Sequence, residues 1–156
     1  MSAHLIFTAD DFGRCEAVNR AVIQAHKGGI LTAASLMVGG EAFEQAVEMA
    51  RQTPTLAVGL HAVVVDGKAV LLPHRIPHLV NRTGDFERDP FRAGMRYFFS
   101  RSARSELKQE LRAQFDRFAG TGLPLSHVDG HLHMHVHPSV LGLILPLAEE
   151  FGASGF

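Results

Sequence analysis

The sequence predicts an α/β fold in which a parallel sheet alternates with helices, and three observations predict it. Short apolar runs alternate four times with segments whose apolar residues recur at helical spacing. Glycine or proline closes most of these segments, so each unit is bounded. The chemically distinctive residues, Asp10-Asp11, His61 and a histidine run from His127, each follow a strand candidate. A parallel sheet gathers such strand ends along one edge.

Taken in order, residues 5–9 form the first strand candidate, ending in Asp10-Asp11. Ala17, Val18, Ala21, Val22 and Ala25 then share one helical face, which Gly28-Gly29 stops. Residues 33–38 form a second strand, and Ala42, Phe43, Ala46, Val47 and Ala50 mark a second helix ended by Pro54. Residues 56–60 form the third strand, followed at once by His61. Residues 62–90 are irregular and contain Pro73, Pro77 and Pro90; a connection this long is expected to be functional. A long helical region carries Leu107, Leu111, Phe115 and Phe118 on one stripe. Residues 125–130 form the fourth strand. Pro138 opens a last helix, which Pro146 is expected to kink and Gly152 to close. The expectation is one domain over residues 1–156, a sheet of four βα units with both edges open. That is half the number of an eightfold barrel.

Composition excludes several classes. The 156 residues are 46% hydrophobic and 20% charged, as in a globular protein. The formal charge is −1, so no overall basic excess invites nucleic acid. No apolar run is long enough to span a bilayer. Cys15 is the only cysteine, so no intrachain disulfide can form; a nucleophilic role for it is set aside in favour of a small packed residue. MSAHLIFTADD meets acidic residues too early for a signal peptide, and a cytoplasmic location is expected. Arg96 beside Tyr97-Phe98-Phe99 suggests base stacking, but a mixed helix surface explains it more simply.

Three features carry chemistry. Adjacent carboxylates at a strand end raise one another's pKa unless a cation neutralises them. Asp10 and Asp11 are therefore either helix caps or a pair in which one binds a metal and the other is a general base. His61 matters through its place at a strand end. The segment HVDGHLHMHVHP sets His127, Asp129, His131, His133, His135 and His137 at alternate positions, all on one face if the chain is extended. No core accepts so many imidazoles without polar partners, and one ion cannot take them all. One carboxylate with two imidazoles is a common set for a divalent ion with open positions. The residues themselves leave open which aspartate and which histidines are used.

TADDFG, AVGLH and HVDGHLHMHVHP, in this order and spacing, resemble the YdjC-like carbohydrate deacetylases, over nearly the whole chain. The detail is most similar to the branch associated with hopanoid biosynthesis, which implies an N-acetylglucosaminyl hopanoid as substrate. The resemblance implies a barrel-like α/β fold of parallel strands. It implies one divalent ion held by Asp11, His61 and His131, with Asp10 as base. Asp129 then orients a ligating imidazole, and His133 or His135 is available to protonate the leaving amine. Magnesium or zinc is the expected ion, with manganese, cobalt or nickel as alternatives. Family members continue past four units, so this chain is expected to be truncated and to associate as a homodimer or higher oligomer. Two other readings are carried: a metal-dependent phosphoesterase, and a metal-binding remnant without turnover.

Overall fold

The computed structural model describes residues 5–156; the first four, part of the stretch read as lacking a signal peptide, lie outside the described residues. The chain runs β1 (Thr8–Phe12), α1 (Glu16–Gly28), β2 (Ala33–Leu36), α2 (Phe43–Arg51), β3 (Ala57–Ala62), α3 (Pro90–Phe99), α4 (Arg101–Ala119), β4 (Val128–Gly130) and α5 (Pro138–Glu150). The four strands form one sheet in sequence order, every neighbouring pair parallel. This is the predicted α/β arrangement of four βα units.

Alternation along the strands divides the sheet into two unlike faces. Phe12, Ala34, Leu36, Val58, Leu60 and Val128 are buried and belong to one apolar cluster with Leu107, Leu111, Phe115 and Ile144 of the helices. Period-2 alternation puts Asp10, Ser35, Gly59, His61 and Asp129 on the other face. All four residues of β2 are buried, so both of its faces are covered, with Ser35 its one polar member. Beyond β4, Ser154 N–H donates to the Ser126 carbonyl at 3.1 Å and Val128 N–H to the Gly155 carbonyl at 3.1 Å. The last residues thus lie along the free edge of β4.

Several boundaries differ from those predicted. β1 begins at Thr8 and contains both aspartates, and β3 contains His61. The β3–β4 pairing reaches the site because His61 and Asp129 are themselves register partners. The long helical region is two helices, with a break at Ser100. Ser100 has an extended backbone (φ −98°, ψ 116°), and its hydroxyl accepts the Ala103 N–H at 3.2 Å, capping α4. At the start of α3, Asp89 accepts the Phe91 N–H at 2.9 Å, and Pro90 takes the first turn. α5 runs through Pro146 to Glu150.

The irregular connection after β3 is anchored by α4. Glu106, Glu110 and Gln114 lie four residues apart on one helical row and are buried. Glu106 accepts from His78 N–H at 2.8 Å, and Glu110 from Val70 and Leu71 N–H at 2.8 and 2.9 Å. Gln114 accepts from Val63 N–H at 2.9 Å and donates to the Val63 carbonyl at 2.7 Å. These side chains satisfy backbone groups that a loop without a ladder would leave orphaned. Burial pushes the Glu110 carboxyl above the usual range, against those hydrogen bonds.

Candidate metal centre

Asp10 and Asp11 lie at an irregularity in the β1–β2 pairing, between Ala9 and Phe12. In a regular strand their side chains would point to opposite faces. Asp11 instead takes a left-handed backbone with φ of 63°, and the bulge brings both carboxylates to His61. Left-handed aspartate is tolerated but costs roughly 1–3 kcal/mol, so the surroundings must hold it. Gly13 follows with φ of 93°. Asn19 fixes the turn: its side-chain oxygen accepts Gly13 N–H at 2.7 Å, and its amide donates to the Ala42 carbonyl at 3.0 Å. Neither aspartate caps α1. Cys15 occupies the N-cap position, without a side-chain cap bond.

His61 is almost fully buried near the end of β3. Its Nδ1 lies 2.7 Å from Asp129 Oδ1 on the paired strand. Donation of Nδ1–H to that carboxylate leaves Nε2 bare. Nε2 lies 3.4 Å from Asp11 Oδ1 and 3.3 Å from His131 Nδ1. His131 Nδ1 lies 2.9 Å from Asp11 Oδ1. An ion about 2.1 Å from each of three donors holds them roughly 3.0–3.4 Å apart, the spacing observed among these atoms. Of these three donor atoms, Asp11 Oδ1 is moreover buried without a hydrogen-bond partner, a costly arrangement for a carboxylate oxygen unless a cation satisfies it. The three residues therefore fit a divalent ion.

Asp10 stands beside this trio. It is exposed, receives the Ser35 hydroxyl at 3.4 Å, and offers an oxygen within 4.8 Å of ligand atoms on His61 and Asp129. Burial pushes the Asp129 carboxyl up, but hydrogen bonds from His61 and Ser35 and the charge of His61 outweigh it; the net shift is downward. Burial lowers the His131 imidazole, against the charge of Asp11.

The remaining histidines are not on one extended face. Residues 131–136 coil as a 3₁₀ segment, with Leu132 and His133 in the left-handed region. The coil breaks the predicted alternation immediately after His131. His133 is exposed, and His135 is half-buried with Nδ1 3.4 Å from the Gly130 carbonyl. Neither belongs to a metal-fitting group. His137 caps α5, accepting from Ser139 N–H at 3.3 Å. His127 lies against Gly59, where a Cβ would meet its ring at 2.5 Å; glycine leaves the room it occupies.

The sequence reading missed Arg14 and Ser35. Arg14 holds the outer oxygen of Asp11, Nη1 to Oδ2 at 2.8 Å, leaving Oδ1 to the histidines. No sequence signal separates it from other surface arginines. Ser35 was detectable as the polar residue of an otherwise apolar strand. Arg14 also lines a cavity of about 320 Å³ with Asp66, Lys68, Asp85 and Arg88 of the connection after β3; Arg14 is its link to the trio, none of whose residues lines it.

A profile described as YdjC-like protein matches residues 4–155. A carbohydrate deacetylase of Brevibacillus brevis is 43% identical over 147 residues, covering 94% of this chain and 56% of that protein. A carbohydrate deacetylase of Geobacillus stearothermophilus is 36% identical over 151 residues, covering 97% and 58%. A crystal structure from Enterococcus faecalis, described as a cellobiose-phosphate cleavage protein, superposes with a TM-score of 0.83 at 31% identity, covering 96% of this chain and 57% of that one. The chain thus spans little more than half the length of the curated relatives it matches. With a family profile matching nearly its whole length, the chain belongs to the YdjC-like protein family.

Proposed function

We propose that this chain removes the acetyl group from an N-acetylated sugar in a metal-dependent hydrolysis, with Asp11, His61 and His131 holding one divalent ion and Asp10 acting as general base. The observation that carries this reading is the convergence of one carboxylate oxygen and two imidazole nitrogens, the buried carboxylate oxygen having no hydrogen-bond partner, beside a second, exposed carboxylate. The carbohydrate deacetylases among its relatives support the reaction type.

When bound, the ion supplies Lewis acidity for the acetamide carbonyl. Asp10 accepts the proton of the attacking water; its exposure on the rim gives it access to solvent and substrate. Ser35 orients Asp10 through its hydroxyl, and Asp129 keeps Nδ1 of His61 protonated so that Nε2 faces the ion. Arg14 engages Asp11 Oδ2 and so limits Asp11 to a single inward oxygen. His133 and His135 are the histidines left to protonate the departing amine. The cavity walled by Arg14, Asp66, Lys68 and Asp85 offers the hydrogen-bonding groups that a sugar requires. The finer substrate, an N-acetylglucosaminyl hopanoid, rests on sequence resemblance alone. One ion is favoured over two because both metal-fitting groups draw on His61, whose Nδ1 is engaged by Asp129; this argues against the phosphoesterase reading.

The test is acetate release from a panel of N-acetylglucosamine compounds, including a disaccharide and its phosphate, by chelator-treated protein with and without magnesium or zinc. Metal-restored acetate release supports the proposal. Metal binding with no acetate release from any substrate would leave a metal-binding protein without this turnover and refute it.

A further inference from the structure

The outward face of α3 carries large apolar side chains. Phe91, Met95, Phe98 and Phe99 are 74, 45, 51 and 70% exposed. At 100° per residue, Phe91, Met95 and Phe98 fall within about 60° of one another, with Phe99 beside them. Ala93, Gly94 and Tyr97 form the buried side, and the Tyr97 hydroxyl is spent on the Val64 carbonyl. Single exposed apolar residues are ordinary, but a stripe of four large ones on one short helix is not.

The stripe is bordered by positive charge. Between residues 88 and 104 there are five arginines and one aspartate, a third of all basic residues in a chain whose net charge is −1. Arg92 and Arg96 border the stripe on its Phe99 side; both are exposed and meet carboxylates only at 3.6 and 3.9 Å, and Arg96 also donates to the His78 carbonyl at 3.3 Å. Such exposed pairs hold weakly against a competing anion. Arg101 and Arg104, exposed at the start of α4, make no ion pair among the described residues. Leu132 and Val136, 49 and 62% exposed, lie on the 3₁₀ segment against which α3 packs.

An apolar ridge edged with arginine is the distribution of a helix lying in a membrane interface. A single-stranded nucleic acid fits it less well. Phe98 and Phe99 pack edge to face, with centroids 5.0 Å apart and planes at 76°, so they offer no parallel platform for successive bases. No described helix is long and apolar enough to cross a membrane. We propose that this face docks on an anionic lipid bilayer. Phe91, Met95, Phe98 and Phe99 enter the headgroup boundary, and Arg92, Arg96, Arg101 and Arg104 meet the lipid phosphates. This inference does not rest on the deacetylase reading, and its test uses no activity.

The test is sedimentation of the purified chain with phosphatidylcholine vesicles, with and without added phosphatidylglycerol, at low and high salt. Binding is expected on the anionic vesicles and should fall with salt. The Phe98→Ser/Phe99→Ser variant should lower partitioning by at least about tenfold, from the apolar burial lost. Arg101→Ala/Arg104→Ala should lower it by about fivefold per arginine, on anionic vesicles only. Both pairs are exposed, and circular dichroism checks that each variant is folded; the arginine variant serves alone if the phenylalanine variant is not. The proposal is overturned if the parent binds neither vesicle, or if folded variants bind as the parent does. It is also overturned if light scattering shows a self-associated parent whose mass falls in the phenylalanine variant, or if both variants lose binding to polyuridylate and not to lipid.

Discussion

Asp129→Asn should weaken divalent-metal binding about tenfold while leaving the fold intact. The perturbation removes a charge and almost no volume. Asp129 Oδ1 accepts from His61 Nδ1 at 2.7 Å, and its pKa is held below the ordinary carboxylate value, so near neutral pH the substitution replaces an anion with a neutral amide. A hydrogen bond to a charged group contributes roughly 1.5–3 kcal/mol, and a neutral one about 0.5–1.5. The difference, about 1–1.5 kcal/mol, is close to a factor of ten. That lies at the lower end of the roughly 10–100-fold losses typical of residues that orient a ligating histidine. Asp129→Ala should lose more. With no acceptor at Nδ1, the His61 proton is free to move to Nε2, the atom that faces Asp11 and His131. Calorimetric titration of chelator-treated protein with zinc or magnesium measures both. Affinities within about twofold of the parent for both variants, with normal circular dichroism, would refute the claim that Asp129 sets the state of His61.

Alanine at Asp11, His61 or His131 should each abolish measurable metal binding, whereas His137→Ala should spare it, because His137 caps α5; the same titration reads all four. Asp10→Asn should retain metal and lose about 10²–10⁴-fold in acetate release, the usual contribution of a general base; near-parental turnover would exclude Asp10 from that role. Gln114→Ala strands the buried N–H and carbonyl of Val63 and should cost about 2–4 kcal/mol, lowering Tm by several degrees; an unchanged melt would show that water replaces the amide. Burial lowers the His127 and His131 imidazoles below 6.5, so the unfolded chain takes up those protons first. Their contribution to stability is complete above that pH and is lost as pH falls through the folded values. Melts of metal-free protein should therefore show Tm falling on acidification from neutral, less steeply in His127→Gln, and a pH-independent Tm would contradict the assignment.

The βα order, the parallel sheet and the residue types of the site were legible in sequence because each follows from local periodicity. Helical spacing placed α1, α2, α4 and α5, and apolar runs placed β2 and β3. The acidic pair, His61 and the histidine run stood out because no core accepts them unpaired. α3 was less distinct, since its stripe of Phe91, Met95, Phe98 and Phe99 faces outward and gives no inward pattern to read. Selection within the site was a tertiary matter. Strand alternation would have separated Asp10 from Asp11, and only the left-handed backbone at Asp11, held by Asn19 and Arg14, brings both to His61. Alternation likewise predicted five histidines on one face, but the chain coils after His131 and sends His133 and His135 elsewhere. Residue types and periods are properties of short segments. Which donors converge within about 3.5 Å depends on register, a bulge and a turn, and those are fixed by partners distant in sequence: Ser35 for Asp10, Asp129 for His61, and Ala42 for the turn after Asp11.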